Sequence, residues 1–329
     1  MIPPTLRIAA IVPCYNEEGA IAKVVADLHA AVPQMEIYVY DNNSTDRTAE
    51  VAAAAGAIVR REERKGKGNV VRRAFADVEA DVYCMIDGDD TYEAAALPAM
   101  IEELLAGPYD HVLGVRQDDT ENTHYRPGHE AGNRAFNRLT SKVFGTKVSD
   151  MLSGYRVFSR RFVKSFPAMS QAFEIETELT VHAATLRVPQ KEYPVAFSDR
   201  AEGTESKLNT FSDGFRILGL IARLVSEERP VLFHSVLACL TWLLAIVFGA
   251  PVLSHYLADG NVPRFPTLIL VIGLLTVGFL WMMLGLILAG QRRNRSIEAR
   301  LRYLALPSVH EVAMRTASSA ADGRTSVTR

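Results

Sequence analysis

The sequence is poor in cysteine and tryptophan and carries almost no surplus of charge. Its three cysteines, Cys14, Cys84 and Cys239, are far apart and form no Cys-x-x-Cys pair. No disulfide framework can be built from them, and a reducing compartment is the expectation. The formal net charge is −2 over 329 residues, so no basic field of the kind that draws nucleic acid is present. The first residues lack the features of a secretory signal, because the apolar run is short and acidic residues follow it directly. Two further stretches, 231–253 and 267–289, contain no Asp, Glu, Lys or Arg at all.

Each of those two stretches is long enough to cross a hydrocarbon core of about 30 Å. Arg216, Arg223 and Arg229 precede the first, and Arg292, Arg293, Arg295, Arg300 and Arg302 follow the second. The loop between them carries only Asp259 and Arg264. This asymmetry predicts a multi-pass protein of the cell membrane with both termini cytoplasmic. Residues 210–229 place Phe211, Phe215, Leu218 and Val225 on one stripe, the pattern of an amphipathic helix lying in the membrane interface. Residues 291–329 read as a basic, then Ala/Ser/Thr-rich, disordered tail. Gly273, Gly278 and Gly285 permit close helix packing, either within the chain or in a homo-oligomer.

Residues 1–209 differ in character. Short apolar runs at 7–13, 36–40, 57–60, 82–86 and 110–115 alternate with helical spacing. The alternation predicts an α/β fold, a mostly parallel sheet flanked by helices. In such sheets ligands sit beyond the carboxyl ends of the strands. Three polar clusters fall there: Pro13–Glu18, Asp41–Asp46 and Asp87–Asp90. Three carboxylates within Asp87-Gly88-Asp89-Asp90 repel one another unless cations or hydrogen bonds offset the charge. Such oxygens suit Mg²⁺ or Mn²⁺, which commonly take one or two carboxylates together with substrate phosphates.

The stretches VPCYNEE, DNNSTDRT, RKGKGNVVRRA, IDGDDTY, SDMLSGYRVF and FSDRAEGTESKL, in this order, resemble the family 2 glycosyltransferases with a GT-A (Rossmann-like) fold. Within them they look most like polyprenyl-phosphate sugar transferases of the dolichol-phosphate mannose synthase type. The second motif departs from the family in having Asn42 where a second Asp is usual.

The resemblance implies roles residue by residue. Pro13, Tyr15, Glu17 and Lys67 would line the nucleotide-sugar pocket, with Asp41 accepting a hydrogen bond from the base. Asp87 would hold the ribose or sugar. Asp89 would bind the divalent cation, joined by Glu176. Arg156 would clamp a phosphate, and Arg200, Ser206 and Lys207, with Arg126 and Arg134, would take the lipid phosphate. The implied partners are a nucleotide-sugar donor, a polyprenyl phosphate acceptor and the lipid bilayer. A phosphate acceptor with a second pKa near ~6 needs no protein base to become nucleophilic, so the resemblance implies metal-dependent, inverting transfer.

Two alternatives are distinguishable. A processive polysaccharide synthase of the same superfamily would carry a Gln-x-x-Arg-Trp motif, whereas Trp242 and Trp281 both lie in the apolar stretches. A non-catalytic membrane adaptor would have lost the Asp-x-Asp pair, which is present.

Overall fold

The computed structural model describes residues 2–118, 149–168, 175–198, 226 and 229–325. It divides into two units, residues 1–204 with 298–329, and residues 205–297.

In the first unit β1 (Ile8–Cys14), α1 (Ile21–Ala31), β2 (Glu36–Asp41), α2 (Thr48–Ala54), β3 (Ile58–Arg61), α3 (Lys67–Asp77) and β4 (Val82–Met85) alternate as the apolar spacing predicts. A 3-10 turn (Ala94–Ala96) leads into α4 (Leu97–Ala106), and β5 (His111–Asp118) follows. After residues outside the described set come β6 (Arg156–Ser159), α5 (Arg160–Ser165), α6 (Ile175–Leu186) and β7 (Gln190–Phe197). The seven strands lie in the order β3-β2-β1-β4-β6-β5-β7. β1 is buried along its whole length, which is why it reads as an unbroken apolar run and sits centrally.

β6 is a strand that the hydrophobic pattern did not assign. It has four residues and runs antiparallel between β4 and β5, pairing Met85 and Leu113 with Arg156. Its insertion makes the sheet mixed, and β5 and β7 continue in parallel beyond it. Two apolar layers cover the sheet. One contains α1 and α4 residues such as Ile21, Val25, Leu97 and Ile101. The other contains Phe75, Phe158, Phe162 and Leu179.

Among the described residues the tail expected to be disordered is largely helical. A helix that begins at Phe265 continues to Leu304, and another covers Val309–Thr325. We call them α8 and α9, with α7 (Pro230–Asp259) before them. The Ala/Ser-rich composition hides the anchors: Val309 joins the core on the α4 side, and the Tyr303 hydroxyl donates to buried Asp110 at 2.6 Å.

In the second unit α7 and α8 are long and apolar enough to cross a membrane. Ala238, Ala245 and Val252 of α7 are buried. A Cβ on Gly278 would lie 2.9 Å from Trp242 Cε2, and one on Gly285 3.0 Å from His234 Cβ. Those two glycines are therefore used within the chain. Gly273 faces nothing within 4 Å.

Candidate active site

Four loops at the carboxyl end of the sheet surround a cleft of about 1350 Å³, lined by Pro13, Tyr15, Glu17, Lys67, Asp87 and Asp89 among others. Six of the sequence-derived residues thus meet in one place.

The first two polar clusters hold each other. The backbone N–H of Asn16 donates to Ser44 Oγ at 3.0 Å, and that of Glu17 to Thr48 Oγ1 at 2.8 Å. In return Thr45 N–H donates to Asn16 Oδ1 at 2.7 Å. Asn16 and Asn43 take positive φ, 57° and 66°; asparagine tolerates this conformation better than most residues. Asp41 is buried and accepts from Ser44 N–H at 3.1 Å. It ends β2 and is not among the residues that line the cleft, whereas Asn42 beside it is.

Asn42, the departure from the double-Asp pattern, has a physical reason. Its amide donates to the carbonyls of Glu62 and Arg64 at 2.9 and 2.8 Å. Its Oδ1 accepts from Gly66 N–H at 2.6 Å. A carboxylate could make only the last of these contacts. Gly66 has φ 121°, open to glycine alone at low cost, and it launches α3 with Lys67 as first residue.

Lys67 is far from the solvated surface turn that a Gly-Lys-Gly run suggests. Its ammonium contacts Asp87 Oδ1 and lies 2.6 Å from Glu176 Oε1, with the Lys67 and Glu176 side chains 9% and 5% exposed. Burial alone would push the lysine down. The two carboxylates more than offset it and hold Lys67 well above its usual value. Asp89 accepts from Thr91 Oγ1 at 2.6 Å, and Asp90 pairs with Lys23 at 2.7 Å. Every carboxylate of the third cluster therefore has a partner within the protein.

Arg156 does not have the open setting a phosphate clamp needs. It is fully buried, and its guanidinium donates to Ser153 O (2.8 Å), Met151 O (2.7 Å) and Thr180 Oγ1 (2.9 Å). Burial pushes it down to about 10, with Glu176 and Asp150 opposing. Its place on β6 makes it the brace of the turn 151–154. That turn matters because Gly154 packs on Asp87: a Cβ there would lie 2.8 Å from the Asp87 Cγ. Tyr92 adds a second hold, accepting from Gly154 N–H at 3.0 Å.

Arg116 escaped sequence reasoning. On β5, it grips Asp150 with two hydrogen bonds of 2.7 and 2.8 Å and stacks over Phe197. The signal was a charge directly after the run 110–115. Arg126, Arg134, Arg200, Ser206, Lys207 and most of the amphipathic stretch lie outside the described residues.

Residues 9–166 match the model of glycosyl transferase family 2. The glycosyltransferase AglJ of Haloferax volcanii is 34% identical over 240 residues, 71% of this chain and 77% of AglJ. The chain belongs to glycosyl transferase family 2. It is a glycosyltransferase. A dolichyl-phosphate hexose transferase of the same archaeon is 32% identical over 222 residues, 68% of this chain and 95% of that protein. In fold, this family member is similar to glucosyl-3-phosphoglycerate synthase from Mycobacterium tuberculosis, solved with Mn²⁺, UDP and glucosyl-3-phosphoglycerate. The TM-score is 0.55 at 21% identity, covering 68% of this chain and 80% of that one.

Proposed function

We propose that the protein transfers a sugar from a UDP- or GDP-linked donor to a polyprenyl phosphate, undecaprenyl or dolichyl, at the cytoplasmic face of the cell membrane, with inversion. The supporting observation is the joining of two features in one family 2 chain. The cleft gathers Asp87, Asp89 and Lys67 beside the loops of β1 and β2, and two helices of membrane-crossing length follow. A relative named dolichyl-phosphate hexose transferase matches 68% of this chain. An acceptor with a prenyl tail stays in the bilayer, so an anchored enzyme is what the acceptor requires.

Asp89 at the cleft offers carboxylate oxygens that suit a hard divalent cation whose shell is completed by a diphosphate. Asp89 would hold it, and Mg²⁺ or Mn²⁺ there supplies charge neutralisation for the departing nucleoside diphosphate. The protein's own part is positioning. Tyr15, half exposed on the cleft wall, offers a face to the base. Asp87 is held by Lys67 and Gly154 against the sugar end. The anionic acceptor arrives already nucleophilic, and Arg200, Ser206 and Lys207, with Arg126 and Arg134, would bring its phosphate into line. Rate then comes from alignment and electrostatics, with no protein base.

The test is a panel of labelled UDP- and GDP-sugars supplied to membranes with polyprenyl phosphate. A chloroform-soluble labelled lipid is expected, and Asp89→Ala should lower its formation by about a hundredfold or more. Polymer in place of lipid, or undiminished transfer by the variant, would remove the reading.

A further inference from the structure

The cleft contains a cation of its own. Lys67 Nζ stands between Asp87 and Glu176, contacting Asp87 Oδ1 and lying 2.6 Å from Glu176 Oε1. Lys23 does the same for Asp90 at 2.7 Å, and Thr91 donates to Asp89. Among the described residues no three His, Cys, Asp or Glu side chains converge as a metal-ligand set. Glu176 Oε2 is buried with no hydrogen-bond partner; Lys67 is its ion-pair partner among the described residues, with the charge of Arg156 nearby.

We propose that Lys67 is a built-in counter-cation, which neutralises Asp87 and Glu176 so that the cleft takes a divalent cation only together with a diphosphate. The inference rests on the reading that the cleft binds a nucleoside diphosphate. It assigns Glu176 to Lys67 and not to the metal, against the role that the family resemblance implies. The physical argument is charge. Without Lys67, partly buried Asp87 and buried Glu176 would repel one another and attract any divalent ion from solution. With Lys67 between them, a second cation at the same carboxylates meets like charge at ion-pair distance. Asp89 is then the main protein anchor, too little for a small divalent ion that wants about six oxygens. The diphosphate supplies the missing oxygens. Cation and nucleotide therefore bind as one cooperative pair.

The full-length protein in detergent can be titrated with Mn²⁺, following the free-ion electron paramagnetic resonance signal, with no nucleotide, with UDP and with GDP. Wild type should bind Mn²⁺ weakly alone and at least about tenfold more tightly with one nucleotide. Lys67→Met should gain nucleotide-independent Mn²⁺ binding of at least about tenfold, while Lys67→Arg behaves as wild type. Glu176→Gln should keep nucleotide-dependent binding within about threefold, since a direct ligand would cost far more. The inference is overturned if folded Lys67→Met shows no gain, or if Glu176→Gln abolishes binding. Equal wild-type affinity with and without nucleotide, where Lys67→Met shows no gain or does not fold, would also overturn it. Should Lys67→Met fail to fold, the wild-type and Glu176→Gln arms still decide. If wild type ignores both nucleotides yet Lys67→Met gains Mn²⁺, the nucleotide reading fails while the counter-cation role stands.

Discussion

At the residue scale, the site depends on side chains that brace its loops. Asn42 is the plainest case. Its amide protons satisfy two carbonyls of the loop that carries Lys67. Asn42→Asp keeps the shape, restores the commoner family residue and turns two donors into acceptors facing carbonyl oxygens. We expect a stability loss of about 2 kcal/mol, read from thermal or urea unfolding, with weaker nucleotide binding. Gly154→Ala tests the packing on Asp87. An added methyl must displace the Asp87 carboxylate or the turn, and transfer should fall by about a hundredfold, the scale of a 1 Å misplacement. The protein should still fold, so circular dichroism unchanged beside lost activity is the expected pair of results.

At the element scale, α6 and β6 carry much of the second half of the catalytic unit. α6 brings Glu176 to Lys67 and Thr180 to Arg156. It also carries His182, whose Nε2 lies 3.0 Å from Ser165 Oγ, and burial pushes this imidazole down to about 4 from an ordinary 6.5. The folded pKa is the lower one, so the unfolded chain takes up the proton first as pH falls. The stability that neutral His182 contributes is full above pH 6.5 and is lost progressively as pH falls toward 4. His111, stacked on Phe158 and pushed down by burial and by Arg156, acts in the same direction. Urea midpoints measured from pH 7 to pH 4 should decline with falling pH, and His182→Gln should reduce the slope.

At the scale of the whole molecule, the last residues of α8, from Glu298 on, and α9 belong to the catalytic unit. Asp110, fully buried, receives Ser159 Oγ at 2.6 Å, two guanidinium contacts from Arg161 at 2.6 Å, and the Tyr303 hydroxyl. Tyr303→Phe removes one of several donors and should cost about 1 kcal/mol. Arg161→Met leaves a buried carboxylate without its charge partner and should cost about 3 kcal/mol or more. Comparing the two in urea melts measures how strongly the returning segment is held. Orientation is a separate prediction from the arginine distribution. A cysteine placed at Asn261 should react with a membrane-impermeant maleimide on intact cells, and one at Ser318 only after lysis. The reverse labelling would invert the topology.

The sequence by itself determined the alternating α/β framework, the three strand-end clusters and the two membrane-length segments. Each of these is written in local periodicity or in an unbroken apolar run, which neighbours along the chain can reveal. Pro13, Tyr15, Glu17, Asp87 and Asp89 were legible for the same reason: they sit where a strand ends. Only the tertiary structure decided the rest. Four residues of β6 are too few to show a period, so the burial of Arg156 was invisible. The bridge from Lys67 to Glu176 joins residues more than a hundred positions apart, and nothing local marks either end of it. The return of Tyr303 and Val309 depends on a surface that exists only once the sheet has formed. A charge in a one-dimensional pattern reads as solvated; in the fold Lys67 and Arg156 are buried, because the carboxylates and carbonyls that offset their desolvation come from elsewhere in the chain.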